Sequence, residues 1–284
     1  MLVEPARERR RLTPDAARHG FAHPRFVLHE LLGRGGMGFV YKAVDQLHHT
    51  TVALKLLPRA NPDALYRFKQ EFRTLTNLSH RNLIVLHELF ADTEQWFFTM
   101  ELIDGVSFRE FVRPTGFQKW DAESLGRLRS VMRQLVEGVA FLHNAGFIHR
   151  DLKPSNVLVT EEGRVVVMDL GLTRAQTVPE WDQPSEAGFC GTIAYMAPEQ
   201  AAHQPTQASD WYSVGVMLFE ALTGRQPFVG ATTEVLIAKQ QQEAPPPREF
   251  VSDIPDELNA LCVNLLNRDP QKRSSAAEIL RQFA

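Results

Sequence analysis

Apolar residues fall into two rhythms along this chain, and the change from one to the other divides it. From Phe26 to Leu57 they come in short runs: Phe26-Val27-Leu28, then Phe39-Val40-Tyr41 after a glycine cluster, then Val52-Ala53-Leu54. Such runs, rich in β-branched and aromatic residues, predict strands. Leu65, Phe68, Phe72, Leu75 and Leu78 then recur at three- and four-residue steps, which predicts one amphipathic helix. Leu83–Phe90 and Trp96–Leu102 predict two further strands about the turn Ala91-Asp92-Thr93-Glu94.

After Asp104-Gly105 the helical rhythm takes over. Leu125, Leu128, Met132, Leu135, Val139 and Leu142 form a long stripe that Gly146 is placed to end. A hairpin interrupts it, with Val157–Val159 and Val165–Met168 flanking the turn Glu161-Glu162-Gly163. Trp211–Leu222 is nearly all apolar and stops before Gly224, the pattern of a buried helix. Helices near Thr232–Gln242 and Pro255–Asn267 follow, and a last one opens with the capping box Ser275-x-x-Glu278. The pattern predicts an α+β chain: a strand-rich first third, a helical remainder, and two lobes with a ligand cleft between them. Residues 1–24 carry no apolar period and read as a flexible basic leader.

Composition narrows the classes. With 284 residues, 44% hydrophobic and 23% charged, the chain is globular and long enough for two lobes. A net charge of −3 gives no electrostatic case for a nucleic-acid partner. Cys190 and Cys262 cannot make a disulfide framework and lack metal-ligand spacing, so a reducing, cytoplasmic setting is expected. The N-terminus has no apolar signal segment. The longest apolar run, Val214–Leu222, contains Glu220 and falls far short of the roughly 18–20 residues that a membrane span needs, so no membrane segment is expected.

The candidate chemistry lies in separate clusters. Gly33, Gly35, Gly36 and Gly38 follow the spacing G-x-G-x-x-G and let backbone amides approach phosphate oxygens. A dinucleotide-binding fold needs a helix directly after that loop, whereas Phe39–Val44 continues as a strand; this favours a glycine-rich flap. Lys55 stands among the aliphatics of Val52-Ala53-Leu54-Lys55 and needs an anionic partner there, which Glu71 could supply from the apolar helix. The densest cluster is His149-Arg150-Asp151-Leu152-Lys153-Pro154-Ser155-Asn156. It sets a carboxylate, a lysine and an amide on one short loop, suiting a base, a phosphate contact and a metal ligand. Asp169-Leu170-Gly171 after Val165–Met168 offers a second acidic metal ligand at a strand end.

Together these motifs resemble the protein kinase superfamily, from about Phe26 to the last residue, and the same signature set is a known family pattern. The match comprises the glycine loop, Val52-Ala53-Leu54-Lys55, the His149–Asn156 string, Asp169-Leu170-Gly171 and Ala197-Pro198-Glu199. The spellings Arg34-Gly35-Gly36-Met37-Gly38 and Gly191–Gln200 are similar to bacterial serine/threonine kinases in particular. The resemblance implies a bilobal fold with an N-lobe over about 25–100, a hinge at 101–105 and a C-lobe from 106 to 284.

It also implies roles. Lys55 would hold the α- and β-phosphates of ATP and pair with Glu71, and Asp151 would accept the proton of the substrate hydroxyl. Lys153 would contact the γ-phosphate, Thr192 would shape the substrate pocket, and Asn156 and Asp169 would hold two Mg2+ ions, with Mn2+ an alternative. Gly33, Gly35, Gly36 and Gly38 would cover the phosphates. Met100 would be the gatekeeper, Glu101–Ile103 the hinge for adenine, and Val40, Ala53 and Leu158 the sandwich around the base. Asp210 would anchor the catalytic loop, and Glu199 would pair with Arg273. Leu75, Leu86, His149 and Leu170 would stack as an apolar spine, with Leu170 standing where the family usually has phenylalanine.

The implied partners are proteins with serine or threonine acceptors, including a second copy of the chain in trans. Asp169–Glu199 would be an activation loop, with Ser185 as a phosphosite or Glu186 as a permanent anion, and Arg150, Arg67 and Arg174 as its cationic pocket. Two rivals are a pseudokinase scaffold, which should have lost a catalytic residue, and a small-molecule phosphotransferase, which should lack Ala197-Pro198-Glu199 and Arg273.

Overall fold

The structure, a computed structural model, describes residues 21–35, 38–58, 62–91, 96–170, 193–202 and 204–283. It falls into two compact units. One takes the chain up to Asn61 together with Leu86–Leu102, and the other takes Pro62–Val85 and continues from Ile103.

The first unit is an antiparallel sheet of β1 (Phe26–Gly35), β2 (Gly38–Asp45), β3 (Thr50–Leu57), β4 (Leu86–Ala91) and β5 (Trp96–Met100). The spatial order is β1-β2-β3-β5-β4. Its core gathers Phe26, Leu28, Tyr41, Ala43, Leu54 and Phe97, joined by Phe21. Phe21 falls in the stretch that reads as a leader, yet it is buried and meets Phe97 edge-to-face at 5.2 Å. A lone aromatic leaves no period to read, which is why the pattern missed it. Arg25 ties the sheet's ends together, forking onto Asp45 at 2.9 and 2.7 Å and reaching Glu88 at 2.5 Å.

The second unit is mainly helical. It contains α1 (Pro62–Leu75), α2 (Phe108–Val112), α3 (Ala122–Asn144), α4 (Pro198–Ala201), α5 (Gln207–Thr223), α6 (Thr232–Gln241), α7 (Asp256–Leu265) and α8 (Ala276–Arg281). Asp121 caps α3 by accepting from the Ser124 amide, and Gly146 follows its end with φ of 85°. Helix α5 is buried from Ser209 to Leu222, and Gly224 ends it in the left-handed conformation. Gly215 explains how α5 and α7 come so close, since a Cβ there would lie 2.7 Å from the Leu265 side chain.

A small sheet, β6 (Gly105–Ser107), β7 (Val157–Thr160) and β8 (Val165–Val167), holds the predicted hairpin in the order β6-β7-β8. Strand β6 has too few residues to show an alternation. The apolar run predicted as one strand over Leu83–Phe90 is shared instead. Leu83 bridges to Val167 and the Ile84 amide donates to the Val167 carbonyl at 3.0 Å, whereas β4 begins only at Leu86. A continuous apolar run cannot reveal that two partners divide it. Strand β5 likewise ends at Met100, two residues before the predicted Leu102. Most of the predicted turn at 91–94 lies outside the described residues. Among the described residues no helix is long and apolar enough to cross a membrane.

Candidate active site

In the first unit, strand register fixes which side chains share a face. Val40 pairs with Lys55 and Lys55 with Phe98, while Ala53 pairs with Met100. Directly opposed residues point the same way, as do residues two apart. Val40, Ala53, Lys55 and Met100 therefore lie on one face of the sheet. Lys55 is buried, at 7% exposure. Glu101 follows directly after β5. Gly33 pairs with Val40, and Gly35 with Gly38, so the hairpin closes where the glycines cluster. At Gly38, φ is 115° and a Cβ would stand 1.9 Å from the Leu56 carbonyl oxygen, so only glycine fits. Gly36 lies outside the described residues.

The second unit holds the densest constellation. Asp210, wholly buried in the first turn of α5, accepts three hydrogen bonds. The backbone amide of His149 donates to Oδ2 at 2.8 Å, that of Arg150 to Oδ1 at 2.8 Å, and His143 Nε2 lies 2.7 Å from Oδ2. These fasten a turn that Arg150 makes at φ of 69°, a conformation that non-glycine residues seldom adopt. His149 Nε2 bonds the Met168 carbonyl at 2.7 Å, and its Nδ1 accepts from the Asp151 amide at 3.3 Å. Those partners assign the neutral ring with its proton on Nε2.

Asp151 is surrounded by donors. Lys153 Nζ reaches its two oxygens at 3.1 and 2.8 Å. Asn156 Nδ2 donates to the Asp151 carbonyl at 2.8 Å and to Oδ2 at 3.0 Å. The amide nitrogen is thereby used, and Asn156 Oδ1 is the atom left to bind a cation. The Met168 amide donates to the Asn156 carbonyl at 2.8 Å, which sets Asp169, at φ of 52°, one residue beyond a direct tie to that loop. Asn156 and Asp169 offer hard oxygen donors. A hard divalent cation suits such a pair, since it can take one or two protein oxygens and complete its shell with other oxygen ligands.

Glu199 receives Arg273 in a fork at 2.6 and 2.9 Å and also accepts from Ser209 Oγ at 2.7 Å. Burial alone would raise this carboxyl, but Arg273 and Ser209 outweigh it and hold the carboxyl below the usual range. Gln200 Nε2 donates to the Arg150 carbonyl at 2.9 Å, linking this segment to the loop that carries Asp151.

The structure thus joins Asp151, Lys153 and Asn156 directly, with Asp169 adjacent. Leu158 lies in β7, and Ile103 stands just ahead of β6. Leu75, His149 and Leu170 are buried in this unit, and Leu86 is buried in the first. Lys55 belongs to one unit and Glu71 to the other. Arg67 is exposed on α1. Thr192, Arg174, Ser185 and Glu186 lie outside the described residues. Sequence reasoning missed His143, Gln200 and Lys239. His143 acts through one side-chain contact with Asp210, and Gln200 accepts from the Ala197 amide while donating to the Arg150 carbonyl, long-range ties that no pattern marks.

Known proteins carry the same plan. The protein kinase domain model matches residues 26–283. The chain is 33% identical over 267 residues to a probable serine/threonine-protein kinase PknB of Bifidobacterium longum, covering 89% of this chain and 38% of that protein. It is 32% identical over 258 residues to the serine/threonine-protein kinase PknA of Mycobacterium tuberculosis, covering 88% and 58%. A crystal structure of Rad53 residues 1–466 in complex with AMP-PNP superposes with a TM-score of 0.75 at 27% identity, covering 94% of this chain and 68% of that one. The chain spans about two fifths to three fifths of these curated relatives' length. With the fold, the motif order and the family match in agreement, the chain belongs to the protein kinase domain family.

Proposed function

We propose that this chain transfers the γ-phosphate of ATP, with Mg2+, to serine and threonine hydroxyls of proteins. The observation that carries the reading is the contact of Lys153 Nζ with both Asp151 oxygens, with Asn156 on the same carboxylate. An acceptor hydroxyl bonded to Asp151 would lie beside a phosphoryl oxygen bonded to Lys153, an arrangement suited to in-line transfer. Asp151 takes the hydroxyl proton as the acceptor oxygen bonds to the γ-phosphorus and the bond from that phosphorus to the β–γ bridging oxygen breaks, releasing ADP, and Lys153 offsets the charge on the moving phosphoryl group. Lys55 would hold the α- and β-phosphates, paired with Glu71. Val40, Ala53, Met100, Glu101, Ile103 and Leu158 would take the adenine, beneath the flap of Gly33, Gly35, Gly36 and Gly38. Bound at Asn156 and Asp169, the divalent cation supplies charge neutralisation on the phosphates. Lys153 and Thr192 favour serine and threonine acceptors over tyrosine, and autophosphorylation in trans is part of the same reading.

The test is transfer from γ-labelled ATP to a generic basic protein with Mg2+ or Mn2+, followed by phosphoamino-acid analysis. Label on serine or threonine, lost in Lys55→Met, is expected. Label on tyrosine alone, or equal labelling by Lys55→Met, contradicts the reading. A scaffold without transfer would leave every acceptor unlabelled.

A further inference from the structure

Lys239 has no place in the phosphotransfer chemistry, yet it is among the most deeply buried polar residues. It sits near the end of α6 and is 1% exposed. Its Nζ donates to the carbonyls of Ile193, Ala194 and Met196 at 2.9, 2.6 and 2.8 Å. The remaining carbonyl of this stretch, Tyr195, accepts from Ser213 Oγ at 2.9 Å. Four consecutive carbonyls are therefore fixed from α5 and α6. The Tyr195 ring is held too, since its hydroxyl donates to the buried Glu220 at 2.5 Å. An ammonium has three protons, and here three carbonyls take them, with the Tyr212 ring 5.4 Å away.

This arrangement is costly. Burial pulls the Lys239 pKa down to about 7, against which the three carbonyls favour the charged form. A methionine would fill similar space beside the Tyr212 ring without desolvating a charge. What the lysine adds is a single backbone conformation for 193–196. That stretch leads into Ala197-Pro198-Glu199 and follows Thr192 directly. Ile193 and Ala194 border a small cavity with Phe228, Val229 and Val235.

We infer that Lys239 is a positioning residue for phosphotransfer to proteins, locking the 193–196 backbone into the shape against which the protein acceptor is held. The inference rests on the kinase reading. It separates two parts of the reaction: the acceptor side depends on Lys239, and the nucleotide side does not.

The experiment compares wild type, Lys239→Met and Lys239→Gln, the last keeping two of three donors. Three readouts are taken on the whole chain: steady-state kinetics for a protein acceptor and for ATP, ATP hydrolysis without acceptor, and hydrogen exchange of peptides spanning 193–200. Lys239→Met should raise the acceptor KM or lower its kcat/KM by roughly ten-fold. The KM for ATP and the hydrolysis rate should stay within about two-fold, and exchange at 193–200 should quicken. Lys239→Gln should fall between the two. Unchanged acceptor kcat/KM in a folded Lys239→Met overturns the inference, as does an equal loss on the ATP side. Should Lys239→Met fail to fold, a folded Lys239→Gln with wild-type acceptor kinetics overturns it instead. Should wild type transfer no phosphate to any protein, the kinase reading falls and takes the assignment with it. Faster exchange in the variants would then show the anchor alone.

Discussion

The loop at 149–156 and the stretch at 193–199 are both fastened to α5, but with opposite polarity. At the 149–156 loop a buried carboxylate, Asp210, collects donors: the amides of His149 and Arg150 and the ring of His143. At 193–196 the protein presents donors, Lys239 and Ser213, to a row of carbonyls. A loop whose amides point inward needs an anion, and one whose carbonyls point inward needs a cation or hydroxyl. One helix serves both because Asp210 and Ser213 lie three residues apart on it, on neighbouring positions of one face. The contrast teaches that the candidate site is held by paired backbone networks as much as by the side chains that line it.

The largest effect should come from breaking the anion side. Asp210→Ala orphans two backbone amides and the His143 contact, and each lost partner costs about 1–3 kcal/mol. Stability should fall by about 4 kcal/mol and phosphotransfer by roughly a hundred-fold, read by thermal unfolding and single-turnover kinetics. A folded Asp210→Ala with wild-type turnover would break the comparison.

Arg273→Met comes next. It leaves Glu199 half-buried without its cation and should cost about 3 kcal/mol. The carboxyl of Glu199 lies below the ordinary glutamate value of 4.5 when folded. Its contribution is therefore complete above that value and is lost as pH falls through the depressed one. Acid unfolding below pH 4.5 should be steeper in wild type than in Glu199→Gln, and Arg273→Met should abolish the difference. Equal acid profiles for wild type and Glu199→Gln would show that the pair contributes nothing measurable. Smallest is Ser213→Ala, which removes one donor from the carbonyl row while Lys239 keeps the other three. It should cost about 1 kcal/mol in unfolding free energy, and a loss as large as that of Arg273→Met would mean that the row is not held chiefly by Lys239.

How much of this was legible follows the same division. The anion side could be read, because Asp151, Lys153, Asn156 and Asp169 lie in short ordered strings whose chemistry is local. The resemblance also led to the Asp210 anchor and the Glu199–Arg273 fork, both present in the structure. The cation side could not. Lys239 lies in Ile237-Ala238-Lys239-Gln240, where a lysine looks solvated, and only tertiary packing reveals the carbonyls it meets. Phe21 entered the core without a period to announce it, and the Leu83–Phe90 run hid a boundary between two partners. Long-range contacts decide these places, and a window of sequence does not contain them.

The most direct test of the whole account is phosphotransfer by Asp151→Asn under single-turnover conditions, with ATP binding measured alongside. Asparagine nearly preserves the shape and the contacts to Asn156 but cannot take the hydroxyl proton. Transfer to a protein acceptor should fall by roughly 10²–10⁴-fold, with ATP affinity within about two-fold of wild type. Transfer at the wild-type rate would contradict the assignment of Asp151 as the base, and with it the reading of this loop as the catalytic centre.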